Sequence, residues 1–216
     1  MTRWRVALFV VGTAMRALFR LRLAGTPPAA GPCIVVANHQ GWTDPFAIMA
    51  LFRARPRLWG FAAKDAVVPW WWKRAAVWLV GGAVVLVDLK VAVDRRAIAQ
   101  ALRVLERGDA LLVFPEGRVS RKENDLGEFE RGTAYLALRA GAPVVPVWLG
   151  GTAELYLGRE LVVTVGSPRR PPRVEHPTKE TTERFARELH DAVAALSTPY
   201  VERPGPKRWR WLTHLL

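Results

Sequence analysis

Cysteine occurs once in the chain, at position 33, which excludes an internal disulfide and a multi-cysteine metal site. Cys33 opens the apolar run Cys33-Ile34-Val35-Val36-Ala37, where a free cysteine reads as a small buried hydrophobe. Long uncharged apolar runs are also missing. Residues 6–15 carry no charge, but a bilayer span takes about 20 residues. Residues 75–87 are also uncharged, only thirteen in number, with Gly81-Gly82 inside them. They follow Val67-Val68-Pro69-Trp70-Trp71-Trp72-Lys73-Arg74 and read as a buried or interface-dipping element. Acidic residues are scarce, with 19 Asp and Glu against 32 Lys and Arg, a formal net charge of +13. That imbalance calls for an anionic partner. It is uneven: residues 1–64 hold nine Lys or Arg and a single acid, Asp44, and no acid follows Arg203.

What is present narrows the partner. Half of the 216 residues are hydrophobic, which excludes intrinsic disorder and suits one compact domain. Ten Trp residues accompany the cations. A membrane interface favours that mixture, because indole sits at headgroup level and cations meet anionic lipid. Nucleic-acid binders also mix cations and aromatics, but Trp clustered within apolar runs such as 67–72 favours lipid. Residues 4–23 are apolar but interrupted by Arg5, Arg16, Arg20 and Arg22. On a helical wheel Arg5, Arg16 and Arg20 fall within roughly 60° of one another. The spacing predicts a basic amphipathic helix over residues 1–24 lying in the interface. The arginines beyond the apolar run do not resemble a signal-peptide cleavage region. Residues 201–216 form a basic aromatic tail with Pro204-Gly205-Pro206 and Lys207-Arg208-Trp209-Arg210-Trp211-Leu212.

Between these ends, residues 25–200 alternate strands and helices. Strands are expected at 33–37, 58–63, 84–87, 110–114, 144–149 and 160–165. Asp44 as N-cap with Pro45 at the first helical position opens a helix to 52. Ile98, Leu102 and Leu105 give helical spacing over 93–107, closed by Gly108. Further helices are expected at 132–140 and 178–196. Continuous apolar strands alternating with helices predict one α/β domain with a central, mostly parallel sheet flanked by helices.

The reactive residue types gather at two strand ends. The first is Asn38-His39-Gln40-Gly41-Trp42-Thr43-Asp44. Histidine can take a proton from an alcohol near neutral pH, and a nearby carboxylate can orient its ring and stabilise the imidazolium. Alone, the pair also fits a helix cap and a loop histidine. The second is Phe114-Pro115-Glu116-Gly117-Arg118-Val119-Ser120-Arg121. Glycine lets a ligand approach the backbone, and arginine suits phosphate. Alone, it also fits a charged turn.

In this order and about seventy-five residues apart, the two segments resemble the glycerolipid acyltransferase family, which includes lysophosphatidate acyltransferases. That family carries Asn-His, four residues, then Asp, with Phe-Pro-Glu-Gly downstream. Phe61-Ala62-Ala63-Lys64-Asp65, Phe129-Glu130-Arg131-Gly132-Thr133-Ala134 and Gly141-Ala142-Pro143-Val144-Val145-Pro146-Val147 resemble its supporting segments.

The resemblance implies acyl transfer from acyl-CoA or acyl-carrier protein to a hydroxyl of a lysophospholipid-like acceptor, without metal, organic cofactor or acyl-enzyme. Lysophosphatidate (1-acylglycerol-3-phosphate) leads among acceptors. His39 becomes the general base and Asp44 its partner. Asn38, Lys64, Lys90, Glu116, Gly117, Arg118 and Arg121 become substrate-binding candidates, and Pro146 part of the pocket base near the acyl chain. The lack of disulfides and the basic surface point to the cytoplasmic face of a membrane, and the alanine- and arginine-rich composition is compatible with a bacterial inner membrane. One departure stands out. The family's second motif ends in an Arg that contacts acceptor phosphate, and here that position is Leu89, with Lys90 one place later. Another lysolipid or hydroxylated lipid therefore stays open as acceptor, as does a non-catalytic membrane-binding member of the fold. One expectation follows for the surface: the N-terminal helix, the Trp70 region and Trp209-Arg210-Trp211 form one apolar and basic face around the pocket mouth.

Overall fold

A computed structural model describes residues 3–52, 56–71, 74, 83–88, 90–91, 94–174 and 176–215. In chain order its elements are α1 (Arg3–Leu18), β1 (Arg20–Ala24), β2 (Cys33–Ala37), α2 (Asp44–Leu51), β3 (Leu58–Ala63), α3 (Lys64–Val67) and β4 (Val84–Val87). There follow α4 (Arg95–Glu106), β5 (Ala110–Val113), α5 (Arg131–Ala140), β6 (Val144–Gly150), β7 (Glu160–Val165), α6 (Lys179–Ala194) and a 3-10 turn at Arg210–His214.

The seven strands form one sheet in the order β1-β7-β6-β2-β5-β3-β4. β2 to β6 run parallel, β7 is antiparallel to β6, and β1 runs parallel to β7. Every residue of β2 and β6 is buried. Strands covered on both faces must be apolar throughout, which is why they read as continuous runs. Side chains alternate across the sheet. Val35, Ala37, Leu112 and Val147 pack under α1 and α2 with Trp4, Met15, Phe19, Ala47 and Ile48. Ile34, Val36, Leu111 and Trp148 pack against Ala101, Val104, Ala137, Phe185 and Leu189 of α4, α5 and α6. The expected α/β domain is present, and strands β2, β3, β4 and β7 fall at the expected residues.

Two expectations are corrected. The N-terminal helix does not run to residue 24. It ends at Leu18, and Arg20–Ala24 is an edge strand paired with Glu160–Thr164 of β7. The Arg20-Leu21-Arg22-Leu23 alternation has the period of a strand, and pairing with a distant partner selects that period over the helical one. Arg16 turns inward, donating through Nη2 to the carbonyl of Ala50 at 2.9 Å and so serving an unpaired carbonyl in the last turn of α2. At α2, the N-cap is Thr43 rather than Asp44, and Pro45 stands in the first turn. Among the described residues no helix is long and apolar enough to cross a membrane. Residues 75–82 of the uncharged stretch, Trp72, Lys73 and Leu89 lie outside the described residues.

Candidate active site

His39 stands two residues beyond the end of β2, and the loop that follows folds back before α2 begins. Its Nδ1 lies 2.7 Å from Asp44 Oδ2. The same oxygen accepts the backbone N–H groups of Gln40 at 2.7 Å and Gly41 at 2.9 Å. An oxygen that accepts two amide protons is not itself a hydroxyl donor, so Nδ1 carries the hydrogen toward Asp44 and Nε2 keeps its lone pair. Asp44 is fully buried and the His39 side chain is 21% exposed. Asp44 therefore does not cap α2; it orients the histidine. The ring also stacks on Phe114 beyond β5, with centroids 4.1 Å apart and planes 16° apart. A Cβ on Gly41 would meet the carbonyl oxygen of Thr152 at 2.4 Å, so the turn between His39 and Asp44 requires glycine there.

The second motif holds the first. Glu116 is buried, and its Oε1 accepts the His39 N–H while Oε2 accepts the Gly127 N–H, both at 2.9 Å. The carbonyl of His39 accepts the N–H of Ser120 at 2.8 Å. Both backbone groups of His39 are thus fixed by the loop after β5. Asn38 is spent in a similar way: its side-chain amide exchanges two bonds with the backbone of Leu149, 2.9 and 2.7 Å long. That pair extends the β2–β6 ladder one residue past β2.

The other expected residues spread along the same sheet edge. Cys33 and Leu58 both pair with Ala110. Lys64 opens α3 at the end of β3, and β3 stands two strands from β2 in the sheet. Gly117 (φ +65°), Arg118 and Arg121 are exposed on the loop. Among the described residues neither arginine has a carboxylate partner. Lys90 is taken up differently: its Nζ pairs with Asp65 at 2.9 Å, and that hydrogen bond holds the ammonium above its ordinary range. Pro146 lies opposite Val36, so it belongs to the face under α4, α5 and α6, not to the face of His39.

Sequence reasoning missed Glu123, Arg159 and the role of Trp42. Arg159 is 2% exposed; it donates from Nη2 to Glu123 Oε1 at 2.6 Å, from Nε to the Gly151 carbonyl at 2.7 Å and from Nη1 to Glu202 at 3.1 Å. Its guanidinium stacks over Tyr200, 4.6 Å from the ring centroid. Glu123 also accepts the N–H groups of Gly151 and Ala153. One buried cation therefore joins the loop after β5, the loop after β6 and the C-terminal segment. No local pattern around Arg159 announces this.

The exposed aromatics lie near this edge. Trp70 and Trp71 follow α3 beyond the end of β3. Trp209 and Trp211 belong to a segment tied beyond β2 by a bond from Trp42 Nε1 to the Leu212 carbonyl at 2.8 Å. In strand order they flank His39 on opposite sides. The outer side of α1 shows Val6, Phe9 and Val10 to solvent.

The model of the acyltransferase family matches residues 20–150, and the chain belongs to the glycerolipid acyltransferases. It is 29% identical over 157 residues to the chloroplastic 1-acyl-sn-glycerol-3-phosphate acyltransferase BAT2 of Brassica napus, covering 68% of this chain and 41% of that protein. It is 34% identical over 148 residues to a lyso-ornithine lipid O-acyltransferase of Pseudomonas aeruginosa, covering 68% of this chain and 52% of that protein. The chain thus spans about half the length of these curated relatives. The crystal structure of the 1-acyl-sn-glycerophosphate acyltransferase PlsC from Thermotoga maritima shares the fold, with a TM-score of 0.71 at 22% identity over 92% of this chain and 81% of that one.

Proposed function

We propose that the chain moves a fatty acyl group from a thioester donor, acyl-CoA or acyl-carrier protein, to a hydroxyl of a lysophospholipid-like acceptor at a membrane surface. The observation that carries this reading is the 2.7 Å contact of His39 Nδ1 with buried Asp44, which leaves Nε2 as a base. Nε2 takes the acceptor's hydroxyl proton as the oxygen attacks the thioester carbonyl carbon. The carbon–sulfur bond breaks, and the departing thiolate takes the proton back from His39. Asp44 holds the ring in the required tautomer and offsets the imidazolium charge in between. Gly117, Arg118, Arg121 and Lys64 receive the polar parts of the two substrates, while Glu116 acts through His39's backbone and Asn38 through its bonds to the backbone of Leu149. A net charge of +13 suits anionic donors and an anionic bilayer rather than selecting nucleic acid.

Lysophosphatidate, 1-acylglycerol-3-phosphate, is the leading acceptor, giving phosphatidate. Relatives named for that activity support it. A second reading rests on Leu89 at the position of the family's phosphate-contacting Arg, and on Lys90 being paired with Asp65. It takes an acceptor without a phosphate, as the name of the Pseudomonas aeruginosa relative describes for that protein. Transfer of labelled acyl groups to lysophosphatidate, lysophosphatidylcholine and lyso-ornithine lipid side by side decides between them. Preference for lysophosphatidate supports the first, and preference for the phosphate-free lipid overturns it.

A further inference from the structure

The C-terminal segment shows large apolar side chains to solvent. Trp209, Trp211 and Leu215 are 51%, 59% and 47% exposed. The basic side chains of the same segment, themselves partly to largely exposed, are paired with carboxylates. Lys207 bonds to Glu154 and Glu202, and Arg210 bonds to Glu154. Thr213 Oγ1 exchanges bonds with the backbone of Leu155, and Leu212 is buried. Trp209 adopts φ +60°, a strained conformation for an aromatic residue, which these contacts hold in place.

The surroundings give the charge of the occupant. The Leu157 N–H donates to the Arg208 carbonyl, the Gly158 N–H to the Leu18 carbonyl, and the Arg20 N–H to the Arg159 carbonyl. Residues 157–159 therefore place Arg208 beside the end of α1 and the start of β1. Arg20, Arg22 and Arg208 are exposed there, and among the described residues none has a carboxylate partner. Outward indoles in a segment that also carries exposed cations match the headgroup layer of an anionic bilayer.

We propose that residues 208–215 are a second lipid-surface contact, separate from α1, joined to the catalytic loop through the bond from Trp42 to Leu212. Trp42 lies between His39 and Asp44, so docking of the segment holds the loop that carries both. The inference rests on the membrane-surface reading of the enzyme, and the test separates the two.

The full chain is floated with vesicles of phosphatidylglycerol and phosphatidylcholine, as wild type and as Trp209→Ala/Trp211→Ala. The double variant is expected to bind roughly ten-fold more weakly, because apolar surface that would enter the interface is gone. Its transfer to a short-chain lysolipid dissolved below its micellar concentration is expected to match wild type, while transfer to vesicle-embedded acceptor falls with binding. If the double variant loses its thermal transition, Trp211→Ala alone is read instead, since that indole is largely outside the core. Equal vesicle binding by wild type and variant overturns the second contact. A wild type that binds no vesicle overturns the membrane-surface reading itself.

Discussion

Glu116 Oε1 accepts the backbone N–H of His39 at 2.9 Å, so a residue of the downstream motif holds the backbone of the upstream one. Its other oxygen accepts the Gly127 N–H at the same distance. The carboxylate acts as a clamp between the catalytic loop and the loop carrying Arg118 and Arg121. Glu116→Gln keeps the shape but replaces one acceptor oxygen with a donor, leaving one amide unpaired at a cost of roughly 1–3 kcal/mol. The expected result is a fall in kcat of roughly ten-fold or more, with little change in acceptor KM. Steady-state kinetics checks this. A rise in acceptor KM at constant kcat contradicts the clamp and makes Glu116 a headgroup ligand.

Arg159 supports the loop that carries Arg118 and Arg121 from the other side, through Glu123. Removing Arg159 takes the buried cation from Glu123 and Glu202, a loss softened by the partial exposure of both carboxylates. Arg159→Met is expected to lower the melting temperature and raise acceptor KM while leaving donor KM in place. Glu123→Ala removes the same bond, so the double variant should lose less than the two single losses added together. Additive losses mean that the two residues act independently.

Much of this was legible in the chain, and the misses share a cause. β2 and β3 are short apolar runs bounded by turns, and local composition suffices to mark them. Arg20–Ala24 becomes a strand only because β7, far along the chain, lies beside it. On a helical wheel Arg20 falls with Arg5 and Arg16, so local periodicity alone extends the helix through it. The motifs located His39, Asp44 and Glu116, but not where each side chain points. Glu116 and Asn38 sit in the expected segments and are bonded to backbone groups. Arg159 and Glu123 are ordinary charged residues in sequence. Their importance arises from loops that only the tertiary fold brings together.

Cys33 provides a test of direct transfer. Burial pushes its thiol up to about 11, so it stays protonated and enclosed at neutral pH. Iodoacetamide is expected to leave the native protein unmodified, and Cys33→Ala to retain transfer. Stoichiometric alkylation that abolishes activity contradicts this placement.

Acid should loosen the C-terminal segment. The bond from Lys207 is the largest cause holding the Glu154 and Glu202 carboxyls below their ordinary range. The bond to Glu154, followed by that to Glu202, holds Lys207 above its own. A depressed carboxyl stabilises docking above its unfolded value, and that contribution is lost as pH falls through the folded one. The raised ammonium's contribution is lost only as pH rises through its own folded value. Docking is therefore complete at neutral pH and weakens below about pH 4, under the ordinary carboxylate value. Protection of the Leu155 and Leu157 amides, which bond to Thr213 and Arg208, is the readout in hydrogen exchange. Protection unchanged down to pH 3 contradicts the role of these pairs.

The central claim is that His39, held by Asp44, takes the proton from an acceptor hydroxyl. The most direct measurement is transfer of labelled acyl groups from acyl-CoA and acyl-carrier protein to lysolipids by wild type, His39→Ala and Asp44→Asn, with melting curves for each. The account predicts transfer by wild type, a loss of roughly 10³-fold or more in His39→Ala, and a preserved thermal transition. Equal transfer by His39→Ala, or no transfer by wild type to any acceptor, contradicts it.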